Sequence, residues 1–147
     1  MKPDISLVIT VYNEEENIKP LIKSINQNLS NYNFQVIFVD DGSTDRTKEV
    51  ILTNIDERYM LVELSTNFGQ TPAMAAGIQK AEGDYIITLD GDLQNDPSDI
   101  PMMLHKLKNE NWDLVAGYRK DRQDQALFRK FPSKIANRLI RNLTGIY

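Results

Sequence analysis

The chain has 147 residues, of which 41% are hydrophobic and 26% charged, and a net charge of −4; these values fit one globular domain large enough to bury a core. It has no cysteine and a single histidine, His105, so disulfides, thiolate metal sites, cysteine nucleophiles and multi-histidine zinc sites are excluded. No apolar run approaches the roughly 18 residues of a membrane helix, and the N-terminal residues lack the pattern of a signal peptide.

Apolar runs of strand length alternate with helical patterns along the chain. Strands are predicted at 5–12, 34–41, 59–65, 84–90 and 112–119, and helices at 13–29, 43–55, 69–81 and 97–109. This alternation predicts an α/β fold with a mainly parallel sheet flanked by helices. Because the strands are almost entirely apolar, both faces of the sheet are expected to be buried.

The first two predicted helices carry start signals. Asn13 precedes three glutamates, which predicts a cap followed by carboxylates at the positive end of the helix dipole. Ser43 and Asp45 predict a cap for the second helix. Pro20 lies inside the first helical pattern and predicts a late start or a kink.

Polar clusters follow three of the predicted strands, in the sequences VYNEE (11–15), VDDGSTD (39–45) and LDGDLQNDP (89–97). The carboxyl ends of parallel strands meet at one edge of a sheet, and ligands of open α/β folds bind beyond that edge. We therefore expect the three clusters to contribute to one site.

Asp90 and Asp92 stand side by side at a strand end, which is unfavourable for like charges unless a positive group lies between them. Carboxylates bind hard divalent cations, so we predict Mg²⁺ or Mn²⁺ carrying a diphosphate, with Gln94 as a neutral oxygen donor or loop-orienting residue. A turn rich in Asp and Gly, without a ligand, is the alternative. An EF-hand is excluded because its sixth and twelfth positions would be Asn95 and Pro101 instead of Gly and Glu.

Asp40 and Asp41 follow the second predicted strand. A carboxylate there could accept a hydrogen bond from a nucleobase N–H. Paired aspartates also occur in phosphate-accepting receiver domains, but there they follow the first strand. Because the glycine-rich fingerprints of dinucleotide-binding and P-loop proteins are absent from the sequence, a nucleotide would be held by carboxylates and a metal.

The last thirty residues differ in charge from the rest of the chain. Residues 118–147 contain 8 Lys/Arg and 2 Asp/Glu, whereas residues 1–117 contain 9 and 19. An apolar stripe recurs at every fourth position of 127–143, at Leu127, Phe131, Ile135, Leu139 and Leu143. The pattern predicts a basic amphipathic helix, delayed or kinked at Pro132, that could lie on an anionic membrane or cap the sheet; both remain open.

Taken together, these motifs resemble the family 2 glycosyltransferases, which have the GT-A fold and an Asp-x-Asp metal site. The resemblance rests on VITVYNEEENI, VDDGSTDRT, NFGQTPAMAAGI, GDYIITLDGDLQNDP and AGYRKDR, in that order. DLQNDP and GYRKDR are more similar to the polyprenyl-phosphate branch, with dolichol-phosphate mannose synthase and the undecaprenyl-phosphate transferases, than to glycan-extending enzymes. The resemblance implies inverting, metal-dependent transfer of a sugar from a UDP- or GDP-linked donor to a polyprenyl phosphate.

The resemblance also implies roles for individual residues. Three would line the nucleoside pocket: Thr10, Tyr12 and Glu14. Four would contact the base or border the nucleotide-sugar cleft: Asp40, Asp41, Asn67 and Gly69. The metal and diphosphate site would comprise Asp90, Asp92 and Gln94, and the catalytic groups would be Asp92, Arg119 and Arg122, the arginines meeting a phosphate of donor or acceptor. Tyr12 could instead simply pack, and Arg119 could pair with Asp121 or Asp124.

The sequence departs from the family pattern at two points. Thr66 stands where many relatives have arginine, so one phosphate contact is expected to be missing or supplied elsewhere. Relatives continue past the equivalent of NLTGIY (142–147) into an acceptor loop and commonly into membrane helices, whereas this sequence stops at Tyr147. We expect a nucleotide-sugar-binding core at 1–117 and a basic, acceptor- or membrane-facing segment at 118–147, truncated before the rest of the domain.

The expected partners are a nucleotide-sugar donor, a polyprenyl-phosphate acceptor and a membrane surface, without nucleic acid. The full-length protein is expected at the cytoplasmic face of the membrane and this fragment in solution. The sugar, the base and the oligomeric state are not fixed by the sequence. Three alternatives stay open: a family 2 enzyme acting on a glycan hydroxyl, a non-enzymatic nucleotide-binding or receiver-like module, and a nucleotidyltransferase, although the usual basic, glycine-rich loop of the last is missing.

Overall fold

The computed structural model describes residues 2–117, and at its centre is a four-stranded parallel sheet with the strand order β3-β2-β1-β4. The elements in chain order are β1 (Ile5–Val11), α1 (Glu15–Asn28), β2 (Phe34–Asp40), α2 (Thr47–Leu52), β3 (Tyr59–Glu63), α3 (Gln70–Ile78), β4 (Tyr85–Asp90), a 3₁₀ turn (Pro97–Asp99) and α4 (Ile100–Asn109). The predicted α/β fold with a parallel sheet is confirmed.

The strand order explains how the helices divide between the two faces of the sheet. The chain moves from β1 outwards through β2 to β3, and then returns to place β4 on the other side of β1. Right-handed crossovers in opposite directions put their helices on opposite faces. Accordingly, Leu21 of α1 and Leu104 of α4 belong to the large core on one face, whereas Ala73 of α3 packs with Val8 and Val39 on the other.

Helix α3 lies unusually close to the sheet because one of its inward positions is a glycine. A Cβ atom on Gly77 would be 2.3 Å from Val8 Cγ1 and 2.7 Å from Val39 Cγ2. Both neighbours are β-branched side chains with little rotamer freedom, so they could not move aside without strain. Gly77 therefore sets the distance at which the second layer packs on β1 and β2.

Burial of both faces, which the apolar runs predict for the whole sheet, holds for the central strands only. All seven residues of β1 and six of the seven in β2 are buried. In the edge strands, Met60 of β3 is 40% exposed and Ile86 of β4 is 47% exposed. The prediction is wrong for these strands because α3 packs over β1 and β2, which leaves the edge positions on that face uncovered.

Two predicted helices begin or end elsewhere than expected. Helix α1 continues from Glu15 past Pro20 without interruption. Pro20 is exposed while Ile18 and Leu21 beside it are buried, so the carbonyl that loses its N–H partner faces solvent, where water can bond to it. The helix predicted at 43–55 is shorter, Thr47–Leu52, because the residues before it bond to another loop.

The strand predicted at 112–119 is not formed by residues 112–117, the part of it that the structure describes. Leu114 is 80% exposed and Trp112 55% exposed, so an apolar run alone did not produce a strand where no neighbouring strand pairs with it. Residues 118–119 and the helix predicted at 127–143 lie outside the described residues. Within residues 2–117, no helix is both long enough and apolar enough to cross a membrane.

Candidate functional site

A cleft of about 420 Å³ opens beyond the carboxyl ends of β1 and β4. These strands are neighbours in the sheet, with Thr10 opposite Asp90, and the direction of the strand order reverses between them. Such a reversal leaves a crevice, because the loops leaving the two strands turn towards opposite faces. The strand order therefore places the cleft where ligands of open α/β sheets bind.

Eight of the residues that the sequence implicates line this cleft: Thr10, Tyr12, Glu14, Asp41, Asn67, Gly69, Asp90 and Asp92. Three lining residues are additional: Val11, Gln70 and Gly91. The three polar clusters expected at one edge of the sheet are therefore brought together.

Two implicated residues, Asp40 and Gln94, are described but do not line the cleft. Asp40 is not among the lining residues, and its buried carboxylate accepts a hydrogen bond from the backbone N–H of Ser43 at 2.9 Å. Gln94 is also outside the lining, and its backbone N–H donates to Asp92 Oδ1 at 3.0 Å. Arg119 and Arg122 lie outside the described residues.

The cleft is strongly acidic. Its described lining contains four carboxylates, those of Glu14, Asp41, Asp90 and Asp92, and neither lysine nor arginine. A nucleoside diphosphate is itself an anion, and like charges at short range repel unless a cation lies between them. Binding of a phosphorylated ligand at the described walls therefore requires added positive charge.

Asp90 and Asp92 each present one carboxylate oxygen to a protein donor. Asp90 Oδ1 accepts from the side-chain amide of Gln70, and Asp92 Oδ1 accepts from the backbone of Gln94. Neither Oδ2 atom accepts a hydrogen bond from residues 2–117. Among these residues no group of three or more acidic, histidine or cysteine side chains could hold a metal. The donor set thus fits Mg²⁺ or Mn²⁺ bound by one or two carboxylates, with water and ligand phosphate completing the shell.

The residue between these two aspartates has to be small. The backbone N–H of Gly91 donates to the carbonyl of Thr10 at 3.0 Å, which ties the end of β4 to β1. A Cβ atom on Gly91 would lie 2.5 Å from Val11 Cγ1 and 3.2 Å from the carbonyl oxygen of Thr10. The glycine therefore permits the close approach that brings Asp92 to the cleft.

Asp41 stabilises the loop before α3, which lies at the opposite wall of the cleft. Its buried carboxylate accepts the backbone N–H groups of Phe68 and Gly69 at 2.8 and 2.9 Å, one at each oxygen. Gly69 has φ of 94°, a backbone conformation that favours glycine. Asp41 therefore fixes the loop that enters α3, and each oxygen retains a second lone pair that could accept from a ligand.

The loops after β1 and β2 are joined by reciprocal hydrogen bonds, which form a loop zipper of residues 13–15 and 43–47. Asn13 is not the expected cap: Glu14 is the N-cap of α1 and makes no side-chain cap bond. Asn13 instead has φ of 55°, and its side-chain oxygen accepts from the backbone N–H groups of Thr44 and Asp45. Ser43 likewise does not cap α2; its hydroxyl accepts from the backbone N–H of Asn13 at 3.0 Å.

The loop zipper continues at the first turn of each helix. Thr47 Oγ1, fully buried, accepts from the backbone N–H of Glu14 at 2.8 Å and donates to Asp45 Oδ1. In return, Glu15 accepts from the backbone N–H of Arg46 at 2.9 Å. Desolvation raises the pKa of the Asp45 carboxyl, but hydrogen bonds from Thr47 and Glu15 outweigh it and hold the pKa below its usual value. The backbone N–H of Thr47 also donates to Asp45 Oδ1 at 2.9 Å, so Asp45, unlike Ser43, does bond at the start of α2 as predicted. The other donors named here are bound by the opposite loop, which orients Glu14 at the cleft.

We expect Thr47→Val to destabilise the fold by about 1–3 kcal/mol, because it keeps the shape of the side chain but leaves the N–H of Glu14 without its acceptor. Thr47→Ser keeps the hydroxyl and should cost only about 1 kcal/mol for the lost methyl group. Urea unfolding of both variants measures the difference. If Thr47→Val were as stable as the unsubstituted chain, the hydroxyl would contribute nothing to the loop zipper.

Comparison with known proteins identifies the family to which this chain belongs. The sequence model described as "Glycosyl transferase family 2" matches residues 6–146. The chain belongs to glycosyl transferase family 2. It is 44% identical over 148 residues to dodecaprenyl-phosphate galacturonate synthase of Rhizobium johnstonii, covering 97% of this chain and 44% of that protein. The expected family is confirmed.

Two further similarities agree with this assignment to glycosyl transferase family 2. The chain is 40% identical over 146 residues to undecaprenyl-phosphate 4-deoxy-4-formamido-L-arabinose transferase of Yersinia pestis, covering 96% of this chain and 44% of that protein. It thus spans less than half the length of both curated relatives. A mannosyltransferase from Pyrobaculum calidifontis, solved in complex with GDP-Man and Mn²⁺, superposes with a TM-score of 0.63 at 23% identity, over 73% of this chain and 33% of that one, which supports the GT-A fold.

The residues of this family 2 chain that the motifs did not single out are those that hold other residues of the site in position. Gly91 was visible as part of Asp-Gly-Asp, and Gln70 as part of NFGQ. Thr47 carried no signal, because its hydroxyl bonds across the loop zipper to a residue 33 positions away. Such a contact depends on the neighbouring placement of β1 and β2 and is not encoded in local spacing.

Proposed function

We propose that this chain is the donor-binding part of a family 2 glycosyltransferase that moves a sugar from a nucleoside diphosphate to a polyprenyl phosphate. The observation that carries the proposal is the acidic cleft beyond β1 and β4, in which Asp90 and Asp92 each keep one oxygen free of donors from residues 2–117. The acceptor class is supported by relatives named for dodecaprenyl and undecaprenyl phosphate.

The nucleoside and the diphosphate of the donor would bind to different parts of the cleft. Thr10 at the end of β1, Tyr12 after it and Glu14 in the loop zipper would line the nucleoside. Asp41 would accept from a base N–H through a lone pair that its backbone donors leave open. Uracil and guanine both carry such an N–H, so either UDP or GDP fits this contact.

At the other end of the cleft, Asp90 and Asp92 would hold Mg²⁺ or Mn²⁺ against the diphosphate. When bound, the metal supplies positive charge to the leaving diphosphate as the bond to the sugar breaks. The structure of the Pyrobaculum neighbour with GDP-Man and Mn²⁺ is consistent with this choice of cation. Gln94 would orient Asp92 through its backbone N–H.

The transfer we propose inverts the anomeric carbon. An oxygen of the acceptor phosphate forms the new bond from the face opposite the departing nucleoside diphosphate, through an oxocarbenium-like transition state. Because a phosphate acceptor is already ionised at neutral pH, the residues of the cleft need to position it more than to remove a proton. Arg119 and Arg122 suit this task, since guanidinium pairs with phosphate bidentately.

A polyprenyl phosphate resides in a membrane, so the acceptor has to reach the enzyme from a lipid surface. Residues 118–147, with 8 Lys/Arg and 2 Asp/Glu, would attract the anionic cytoplasmic leaflet. We infer that the full-length enzyme works at that surface.

The donor-site proposal is tested by calorimetric titration of this chain with UDP and GDP, each with Mn²⁺ and each with EDTA. We expect binding of at least one diphosphate in Mn²⁺ and none in EDTA, because the described lining of the cleft has no cation of its own. Uridine and guanosine serve as controls, since their binding should not respond to Mn²⁺. A folded chain that binds neither diphosphate, or binds one equally in EDTA, would contradict the proposal.

A further inference from the structure

We propose that Gln70 is a positioning residue for Asp90, directing one oxygen of that carboxylate at the bound metal. The inference rests on the proposed function, because the metal and diphosphate are part of it. Gln70 lines the cleft and its side-chain Nε2 donates to Asp90 Oδ1. It holds the carboxylate from the opposite wall, 20 positions away in the sequence.

The hydrogen bond from Gln70 gives the two oxygens of Asp90 different roles. Oδ1 bonds to Gln70, whereas Oδ2 accepts no hydrogen bond from residues 2–117. A carboxylate held at one oxygen by a neutral amide cannot turn freely about its last torsion, so its other oxygen keeps a defined direction. The donor is also uncharged, so it orients Asp90 without repelling a cation. A lysine or arginine in its place would repel the metal.

Gln70 is itself held in place by the backbone before it. It is the first residue of α3 and follows Gly69, the N-cap, whose φ of 94° and ψ of 164° turn the chain into the helix. The N–H of Gly69 donates to the buried carboxylate of Asp41 at 2.9 Å. A continuous set of contacts therefore runs from the end of β2, through the β3–α3 loop, to the carboxylate at the end of β4.

Asp92 is oriented by a different donor, so the effect of Gln70 on Asp90 can be measured separately from the orientation of Asp92. Its Oδ1 is held by the backbone N–H of Gln94, two residues along the same loop, and a substitution at Gln70 does not remove that donor. A substitution at Gln70 therefore releases one of the two metal-facing carboxylates and leaves the orientation of the other unchanged.

The test is a titration with Mn²⁺ at a fixed concentration of UDP, and then of GDP, with free Mn²⁺ followed by electron paramagnetic resonance. Gln70→Met keeps the length of the side chain and removes the donor. We expect it to raise the Mn²⁺ concentration at half-saturation by about 10-fold or more, the range of outer-shell substitutions at metal sites. Metal-free binding of uridine and guanosine should stay unchanged. Thr71→Val is the matched control, because Thr71 is the next residue of α3, is exposed and does not line the cleft.

A double variant sharpens the result. In Asp90→Ala the side-chain oxygen that accepts from Gln70 is gone, so adding Gln70→Met should produce no further loss of Mn²⁺ affinity. An equal loss in both backgrounds would show that Gln70 contacts the ligand directly and would overturn the inference, as would wild-type Mn²⁺ affinity in Gln70→Met. If the wild-type chain itself binds no nucleotide with Mn²⁺, the proposed function fails first and the role of Gln70 falls with it.

Discussion

Asp92→Ala is expected to remove Mn²⁺-dependent nucleotide binding, with a loss of affinity of about 100-fold or more. Substitutions of outer-shell partners at metal sites typically reduce affinity 10–100-fold, and a direct ligand is expected to matter at least as much. Asp92 is one of two carboxylates at the end of β4 that line the cleft and keep an oxygen free of donors from residues 2–117. The measurement is a calorimetric titration with UDP and GDP at saturating Mn²⁺.

For the same variant, Asp92→Ala, the expected change in nucleotide affinity has the opposite sign when EDTA replaces Mn²⁺. Because the described lining contains four carboxylates and no basic side chain, removal of one negative charge should leave metal-free binding of an anion unchanged or slightly stronger. A loss that is equal with and without Mn²⁺ would contradict a metal role for Asp92. Asp99→Ala is the matched charge control, because Asp99 is exposed, lies outside the cleft lining and makes no capping hydrogen bond.

Gly42→Ala is expected to destabilise the fold by about 3 kcal/mol or more, through two named causes. Gly42 has φ of 74°, where a Cβ costs roughly 1–2 kcal/mol. That Cβ would also lie 2.5 Å from the backbone carbon of Thr66 and 2.8 Å from the backbone nitrogen of Asn67. Backbone atoms cannot rotate away as a side chain can, so either the β2 loop or the β3–α3 loop has to move.

Urea unfolding measures this loss, and Gly69→Ala separates the two causes. Gly69 also has positive φ, 94°, but a Cβ there would meet nothing within 4 Å. Gly69→Ala should therefore show only the backbone cost, of about 1–3 kcal/mol, and be less destabilising than Gly42→Ala. Comparable losses in the two variants would show that the close approach of the two loops is not what requires a glycine at position 42.

The ends of the helices are predicted less well by the sequence than the helices themselves. The four strands of the sheet and the amphipathic helices such as α1 and α4 follow from apolar patterning, which reports a buried face wherever a helix or strand packs, whereas α3 is predicted from its small residues. The helix starts do not follow from apolar patterning. Asn13 and Ser43 have the chemistry of caps, but each bonds to the other loop of the zipper. Local sequence predicts that such residues accept N–H groups, but not which N–H groups are within reach.

The edges of the sheet show a similar division. An apolar run predicts a strand, but its burial depends on what packs over it, which is why Ile86 and Met60 remain exposed while the central strands are covered. The segment 112–117 is apolar enough to be predicted as a strand and forms none. Pairing needs an adjacent backbone with free hydrogen-bonding groups, and such a partner is a property of the assembled sheet.

What the sequence determined by itself is the fold class, the family and eight of the eleven residues that line the acidic cleft, because these depend on periodicity and on the order of chemical groups. The tertiary structure alone decided how those residues are held. It places the end of β4 beside β1, so that Gly91 bonds to Thr10, and it brings Gln70 to Asp90 and Asp41 to Gly69. The physical reason is that each of these contacts joins residues far apart in the chain, whose distance is set only when the strand order and the crossovers are complete.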